Sequence, residues 1–266
     1  SGAAAGFGYD ALVWGGMATI VFGAAGMLST DSAGRMAGYS AVVSSGTLLA
    51  VIGYGQPSLI TAGLYYLIGS TLAVAAFLLL IELIDRIRTP GAAILALTME
   101  AWAVEDTPDE PRGKGVPAAM AFLSLAFTAC ALMIAGLPPL SGFVAKFSMF
   151  HALLNPEPGS GAIGATGWTL MVLVFVSGLI AIISMLRFGV RTFWAAEMVT
   201  PPRLQISEVA PVTALLLLSL AMTVQARPLF DYLGRASADL HEPGKYARRV
   251  LGEPVVQGPA SRPEAP

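Results

Sequence analysis

Charge is what this sequence has least of. Asp, Glu, Lys and Arg make up only 12 % of its 266 residues, against roughly 25 % in ordinary soluble domains. So low a load over this length excludes a water-solvated globule and points to a polytopic membrane protein. The 15 Lys and Arg nearly balance the 17 Asp and Glu, and no basic patch or polybasic arm suited to nucleic acid is visible. One cysteine, Cys130, sits inside an apolar run. It cannot form an intrachain disulfide and reads as a small packing residue. The chain has no CxxC, HExxH, Walker A or GxSxG pattern, so no catalytic residues, metal site or organic cofactor are expected. It also begins Ser-Gly-Ala-Ala-Ala without an initiator methionine or the basic start of a signal peptide, which reads as a truncated or processed boundary.

What is present is apolar length. Hydrophobic residues make up 55 % of the chain, and about 20 of them in a row cross a bilayer core. Candidate spans run over about 11–28, 36–54, 58–83, from Pro117 to a break at 137–141 that resumes as GFVAKFSMFHALL, 167–188 and 209–225. The second is rich in small and hydroxyl residues, as suits a helix packed among helices. Pro117 is a natural first-turn proline. The expected fold is all-α, with about six transmembrane elements, one of them broken. Residues 1–226 would form the membrane domain and 227–266 an amphipathic, then disordered, tail. In the tail Leu229, Phe230, Leu233, Ala236 and Leu240 recur at helical spacing, predicting a helix on the membrane surface or against a partner.

Between the third and fourth spans, TPGAAILALTMEAWAV suits the membrane interface and EDTPDEPRGKG a solvated loop, with Glu100 and Glu105 in water. Arg86, Arg88, Arg112 and Lys114 fall in this connector, and Arg187, Arg191 and Arg203 in the one after the fifth span. The links 55–57 and 155–163 have neither Lys nor Arg. The positive-inside rule then puts 29–35, 84–116 and 189–208 in the cytoplasm and both ends outside. The basic tail (Arg227, Arg235, Lys245, Arg248, Arg249) runs against that assignment. Arg187 and Arg191, four apart, read as cytoplasmic anchors of the fifth helix, with Trp168 and Trp194 as aromatic belts at its ends.

The break, AGLPPLSGFVAKF at 135–147, combines two features that a membrane helix normally avoids. Pro138 and Pro139 interrupt it, and a proline inside a helix costs about 3 kcal/mol. Lys146 follows about two turns later, and a lysine at the bilayer centre costs roughly 2.5–3.5 kcal/mol on insertion scales. Backbone freed by a break is tolerated only where protein or a water-filled cavity covers it, and transporters build ion sites from such breaks. Removing a lysine from water penalises its charged form. Lys146 can therefore carry a proton, charged when a carboxylate or water chain delivers one and neutral when another cation displaces it. The competing reading is a plain loop with Lys146 snorkelling to the interface, which the shortness of GFVAKFSMFHALL weakens.

Those residues carry a family resemblance. AGLPPLSGFVAKF resembles the broken helix of the antiporter-like membrane subunits shared by Mrp-type cation/proton antiporters and respiratory complex I. Leu137, Pro138, Pro139, Ser141 and Gly142 form the break and Lys146 stands at the position lining the family's polar axis. RMAGYSAVVSSGTLL at 35–49 is similar to the family's "KR-L-L-A-Y-S-S-V-S-x-x-G" through Arg35, Ala37, Tyr39, Ser40, Val42, Ser44 or Ser45 and Gly46. LYYLIGSTLAVAAFLLL at 64–80 is similar to the next helix. PLFDYL, Tyr246 and ARRVLG resemble the end of D-type Mrp subunits, favouring that branch. The resemblance covers nearly the whole chain but only the carboxyl-terminal half of a family subunit.

The resemblance implies a subunit of a multisubunit Na⁺/H⁺ or K⁺/H⁺ antiporter in the bacterial inner membrane. Its partners would be the other antiporter subunits, protons, a monovalent cation and the bilayer. The alternatives are a proton-pumping subunit of a complex I or membrane hydrogenase type assembly, and a non-conducting scaffold. Departures from the family support the scaffold: Gly34 replaces a lysine, and Ser70 and Val74 stand where many relatives carry histidine and lysine. A proton path would then rest on Lys146 and on waters held by Tyr39, Ser44, Ser45, Tyr66, Ser70 and Thr71. Glu82 is the acid candidate, or else an interfacial charge paired with arginine. His151, about 140° round the helix from Lys146, is a candidate exit residue, or else merely interfacial.

Overall fold

A computed structural model of the chain describes residues 8–88, 118–155, 163–194 and 206–241. Among these the regular elements are all helical: α1 Tyr9–Ser29, α2 Ala33–Tyr54, α3 Pro57–Arg88, α4 Ala118–Ala135, α5 Ser141–Leu154, α6 Ala165–Gly189, α7 Ile206–Val224 and α8 Ala226–His241. A π-helical turn, Val190–Trp194, continues α6. Among the described residues five helical stretches are long and apolar enough to cross a bilayer, and the α7–α8 pair makes a sixth if counted as one span. The expected interfacial connector, Glu100, Glu105 and the tail beyond 241 lie outside the described residues, as does most of the link 155–163.

Local chemistry sets the boundaries. α2 ends where Gly55 takes the left-handed conformation (φ +72°) and its N–H returns to Ile52 O at 3.1 Å, a glycine C-cap. Pro57 then opens α3, where its missing N–H is no loss. At 32 residues, about 48 Å at 1.5 Å per residue, α3 overshoots a core of about 30 Å. It runs past the 58–83 expected from hydropathy because its last turn carries charge. α1 and α2 pack so closely that a Cβ on Gly16 would meet Ala50 N at 2.5 Å, and one on Gly46 would meet Gly16 O at 2.8 Å. Small residues do at this interface what they do between membrane helices generally, letting backbones approach.

Two buried clusters mark the ends of the bundle. One joins the start of α2 (Met36), the end of α3 (Phe77, Leu80, Ile84), the start of α4 (Leu123, Phe127), the end of α6 (Met185) and the start of α7 (Val212). The other joins the start of α1 (Val13, Met17), the end of α2 (Ala50, Val51), the start of α3 (Leu59, Tyr65), the end of α5 (Met149, Leu153), the start of α6 (Leu170, Val174) and the end of α7 (Met222). α1, α3 and the π-helical turn after α6 thus end, and α2, α4 and α7 begin, at one end of the bundle, the grouping that the arginine distribution required. α4 starts in the first cluster and α5 ends in the second. Together they make one traverse with its break in the interior. Trp14, Phe22, Leu125, Phe147, Phe175 and Leu217 are exposed on the outside, an apolar surface far larger than a water-soluble monomer carries.

At the end bearing the arginines, Arg187 closes α1. Its Nη2 donates to Leu28 O and Thr30 O, both at 2.9 Å, and pairs with Asp31 at 3.3 Å; Arg191 pairs with the same carboxylate at 3.0 Å. A cation at a helix C-terminus meets the negative end of its dipole, so Arg187 fixes α1 to α6 as well as anchoring the latter. Trp168 is half exposed at the start of α6; the side chain of Trp194 lies outside the described residues. α8 leaves α7 at a bend of 80° and turns its apolar face onto α3. Phe230 stacks on Tyr65 with centroids 4.5 Å apart, Leu233 is buried, and Ser237 Oγ donates to Pro57 O at 2.9 Å. What the predicted amphipathic helix packs against is therefore a helix of the same chain.

Candidate functional site: the broken helix and its lysine

α4 ends because Gly136 turns left-handed (φ +80°). The N–H groups of Gly136 and Leu137 both return to Leu132 O at 2.9 Å, and the cis Pro138–Pro139 pair follows. Helix termini leave their last four carbonyls without intrahelical donors. Here Leu132 O is satisfied by the turn, while Ile134 O and Ala135 O are met from α5 by Lys146. Its Nζ donates to Ala135 O at 2.8 Å and lies 3.5 Å from Ile134 O. The lysine is buried, with 8 % of its surface exposed. It does not snorkel; its ammonium rests on the negative end of the α4 dipole.

Three glycines make the arrangement possible. A Cβ on Gly136 would strike the Lys146 stem, 2.5 Å from Cδ. On the facing α6, a Cβ on Gly178 would stand 2.8 Å from Ala135 O and 3.1 Å from Lys146 Nζ. Gly142, the second residue of α5, comes so close to Met133 O that a side chain there has no room. Ser141 Oγ, on the other side of the break, shares a hydrogen bond of 2.6 Å with Ser219 Oγ of α7, and both serines are fully buried.

Beside the ammonium lies a cavity of about 20 Å³, its wall including Ser40, Ser44, Tyr66, Ser70, Val74 and Ser177 as well as Lys146. One 1.4-Å probe sphere needs roughly 10–15 Å³, so the space suits a water. Ser44 Oγ and Tyr66 Oη are 3.1 Å apart. Ser40, Ser70 and Ser177 donate to Ala37 O, Leu67 O and Val174 O of their own helices. Their protons thus engaged, these three hydroxyls have only lone pairs left to offer.

Of the residues singled out from sequence, Lys146, Ser44, Tyr66, Ser70 and Gly142 come together at this cavity. Ser45 and Thr71 are exposed and donate to Ala41 O and Leu67 O. Tyr39 is half-buried against Gly26 and Phe22. Glu82 is exposed on the last turns of α3 and is not among the cavity's lining residues. His151 is exposed near the end of α5, on a separate crevice of about 450 Å³ that also touches Ser58, Phe147, Asn155 and Phe230. Sequence reasoning passed over Ser177 and Gly178 of α6, and took Ser40 only as part of a motif. The small-residue pair Ser177-Gly178, which directly follows a run of large apolar residues over 170–176, was the available signal.

No protein-family model matches the chain. It is 46 % identical over 258 residues to a Rhizobium meliloti protein named as the probable D-type subunit of a K(+)/H(+) antiporter, covering 96 % of this chain and 48 % of the relative. It is 27 % identical over 250 residues to the D-type Na(+)/H(+) antiporter subunit of Bacillus subtilis, covering 93 % and 45 %. The N-type NADH-quinone oxidoreductase subunit of Syntrophotalea carbinolica matches at 30 % over 176 residues, 65 % of this chain and 32 % of the relative. Among solved structures, the Mrp complex from Dietzia sp. DQ12-45-1b shares the fold at a TM-score of 0.69 and 21 % identity, over 93 % of this chain and 50 % of that one. The chain spans about half the length of the curated relatives it matches. In sequence and fold it belongs to the antiporter-like membrane subunits, on the branch of the D-type antiporter proteins.

Proposed function

We propose that this chain is part of a bacterial inner-membrane antiporter of several subunits, which exchanges protons for Na⁺ or K⁺. Protons move along a hydrated path at mid-membrane depth, and Lys146 is the group that takes them up and releases them. The observation that carries this reading is a buried lysine seated on the carbonyls of an interrupted helix, beside a polar cavity of about 20 Å³. Tyr66 and Ser44, at 3.1 Å, form the next hydroxyl pair along the wall and supply both a donor and acceptors for a water chain. The polar path is Lys146, the cavity water, and the Tyr66–Ser44 pair, with Ser70 as an acceptor. Glu82 and His151 are end-of-path candidates only, because neither lines the cavity.

A second reading, a proton pump powered by a redox complex, draws support from the likeness to the N-type NADH-quinone oxidoreductase protein. The two readings differ in what drives the proton. Everted vesicles holding the complete assembly, free of electron donors, are given a pulse of Na⁺ or K⁺ while a pH-sensitive dye reports the lumen. Proton movement that follows the cation pulse, and is absent from vesicles lacking this chain, supports antiport. Movement only on addition of an electron donor, with iron–sulfur proteins co-purifying, supports the redox reading.

A further inference from the structure

The seat of the Lys146 ammonium has the chemistry of an alkali-cation site. Ala135 O accepts from Nζ at 2.8 Å, and Ile134 O stands at 3.5 Å. Both belong to the C-terminal turn of α4, whose dipole adds a partial negative charge. Gly178 of α6 comes so close that a Cβ there would stand 2.8 Å from Ala135 O and 3.1 Å from Nζ, so only a residue without a side chain leaves this carbonyl uncrowded. The adjoining wall presents Ser40, Ser70 and Ser177, whose hydroxyl protons are committed to their own helices and whose lone pairs remain. Carbonyl oxygens and hydroxyl lone pairs are what a dehydrated Na⁺ or K⁺ takes in place of water, and unwound or terminal helix carbonyls supply such ligands in transporters.

We infer that the α4 C-terminal carbonyls form a binding site for one monovalent alkali cation, which the ammonium of Lys146 and the transported cation occupy in turn. The inference rests on the antiport reading above and names where the exchange occurs. When an N–H bond of the ammonium breaks, the proton passes to the cavity water beside Tyr66 and the amine becomes neutral. One cation then enters, held by the carbonyls, the serine lone pairs and the amine's own lone pair. Reprotonation of the amine expels it. The seat carries a single positive charge in either state, so the exchange leaves the buried charge unchanged. Among the described residues lining the cavity, which come from α1 to α6, Tyr66 is the one other titratable side chain; no carboxylate, histidine or arginine lines it. Proton–cation competition at this seat is therefore a property of Lys146.

The test is equilibrium binding of ²²Na⁺ and ⁸⁶Rb⁺ to the purified, complete assembly in nanodiscs. Three forms are compared: wild type, Lys146→Met, and Lys146→Met with Gly178→Ala. Methionine keeps an apolar stem and removes the ammonium. At acidic pH, Lys146→Met is expected to hold one cation equivalent more than wild type, with an affinity that no longer varies with pH. Gly178→Ala, which crowds Ala135 O, is expected to remove that equivalent. No gain in Lys146→Met, or a gain indifferent to Gly178→Ala, overturns the site. Should Lys146→Met fail to assemble, wild type alone decides: bound cation rises by one equivalent from acidic to alkaline pH if the inference holds and stays flat if it does not. Cation-driven proton movement without the extra equivalent overturns this site and leaves the antiport reading standing; the equivalent without such movement does the reverse.

Discussion

Gly178 offers the sharpest test of how tightly the lysine seat is built. In Gly178→Ala, the new methyl would stand 2.8 Å from Ala135 O and 3.1 Å from Lys146 Nζ. Carbon and carbonyl oxygen rest at about 3.3–3.6 Å even in close C–H···O contact, so α6 must withdraw by roughly half an ångström or the carbonyl must turn from the ammonium. Overpacking of this kind costs about 1–3 kcal/mol, and a hydrogen bond to a charged group, if lost, about 1.5–3. Against this, alanine gains about 0.8–1 kcal/mol over glycine in helix propensity. The balance is a loss of about 0.5–2 kcal/mol, or a few degrees of melting temperature at about 2–4 °C per kcal/mol. Gly38 is the control, since a Cβ there meets nothing within 4 Å. Gly38→Ala keeps the propensity gain without the clash and is expected to melt at or slightly above wild type. Fluorescence-detected melting of the purified assembly reads both variants. Equal melting temperatures for the two would refute the close packing argued for the seat.

Other perturbations separate structure from transport. Tyr66→Phe removes the hydroxyl that pairs with Ser44 at 3.1 Å; cation-driven proton flux in vesicles should fall severalfold while stability changes by about 1 kcal/mol or less. Ser141→Ala orphans the buried Ser219 hydroxyl and should lower stability by about 1–3 kcal/mol. The Ser141→Ala/Ser219→Ala double variant should recover part of it, a coupling read from melting of all four forms. Arg187→Ala frees Leu28 O and Thr30 O together and should destabilise by about 2 kcal/mol or more. Asp31→Asn should cost under about 1 kcal/mol, because its ion pairs are largely exposed and screened; denaturant or thermal melts distinguish the two.

The helices and the break were legible in the sequence because each follows from a local property. Apolar length dictates a span, and the Pro138-Pro139 pair interrupts one. Lys146 stood out because a charge among apolar neighbours is costly within a bilayer. The cavity wall was not legible in the same way. Ser44 lines it and Ser45 does not, although the two are adjacent hydroxyls, because about 100° of helical rotation separates them and sequence does not fix which face points inward. Thr71 and Ser45 look polar but donate to their own helices on the outside. Ser177 and Gly178 act on Lys146 across a separation of more than thirty residues, a relation set by packing of α6 against the break. Periodicity likewise exposed the apolar face of α8 without naming Tyr65 of α3 as what it covers.

The central claim is that Lys146 carries the transported proton. Its most direct test is cation-pulsed proton flux in everted vesicles, comparing wild type with Lys146→Ala at matched amounts of intact assembly. The account predicts that flux disappears while the assembly persists. Unchanged flux would contradict it, leaving Lys146 as a cap on α4 and placing the proton path elsewhere in the assembly.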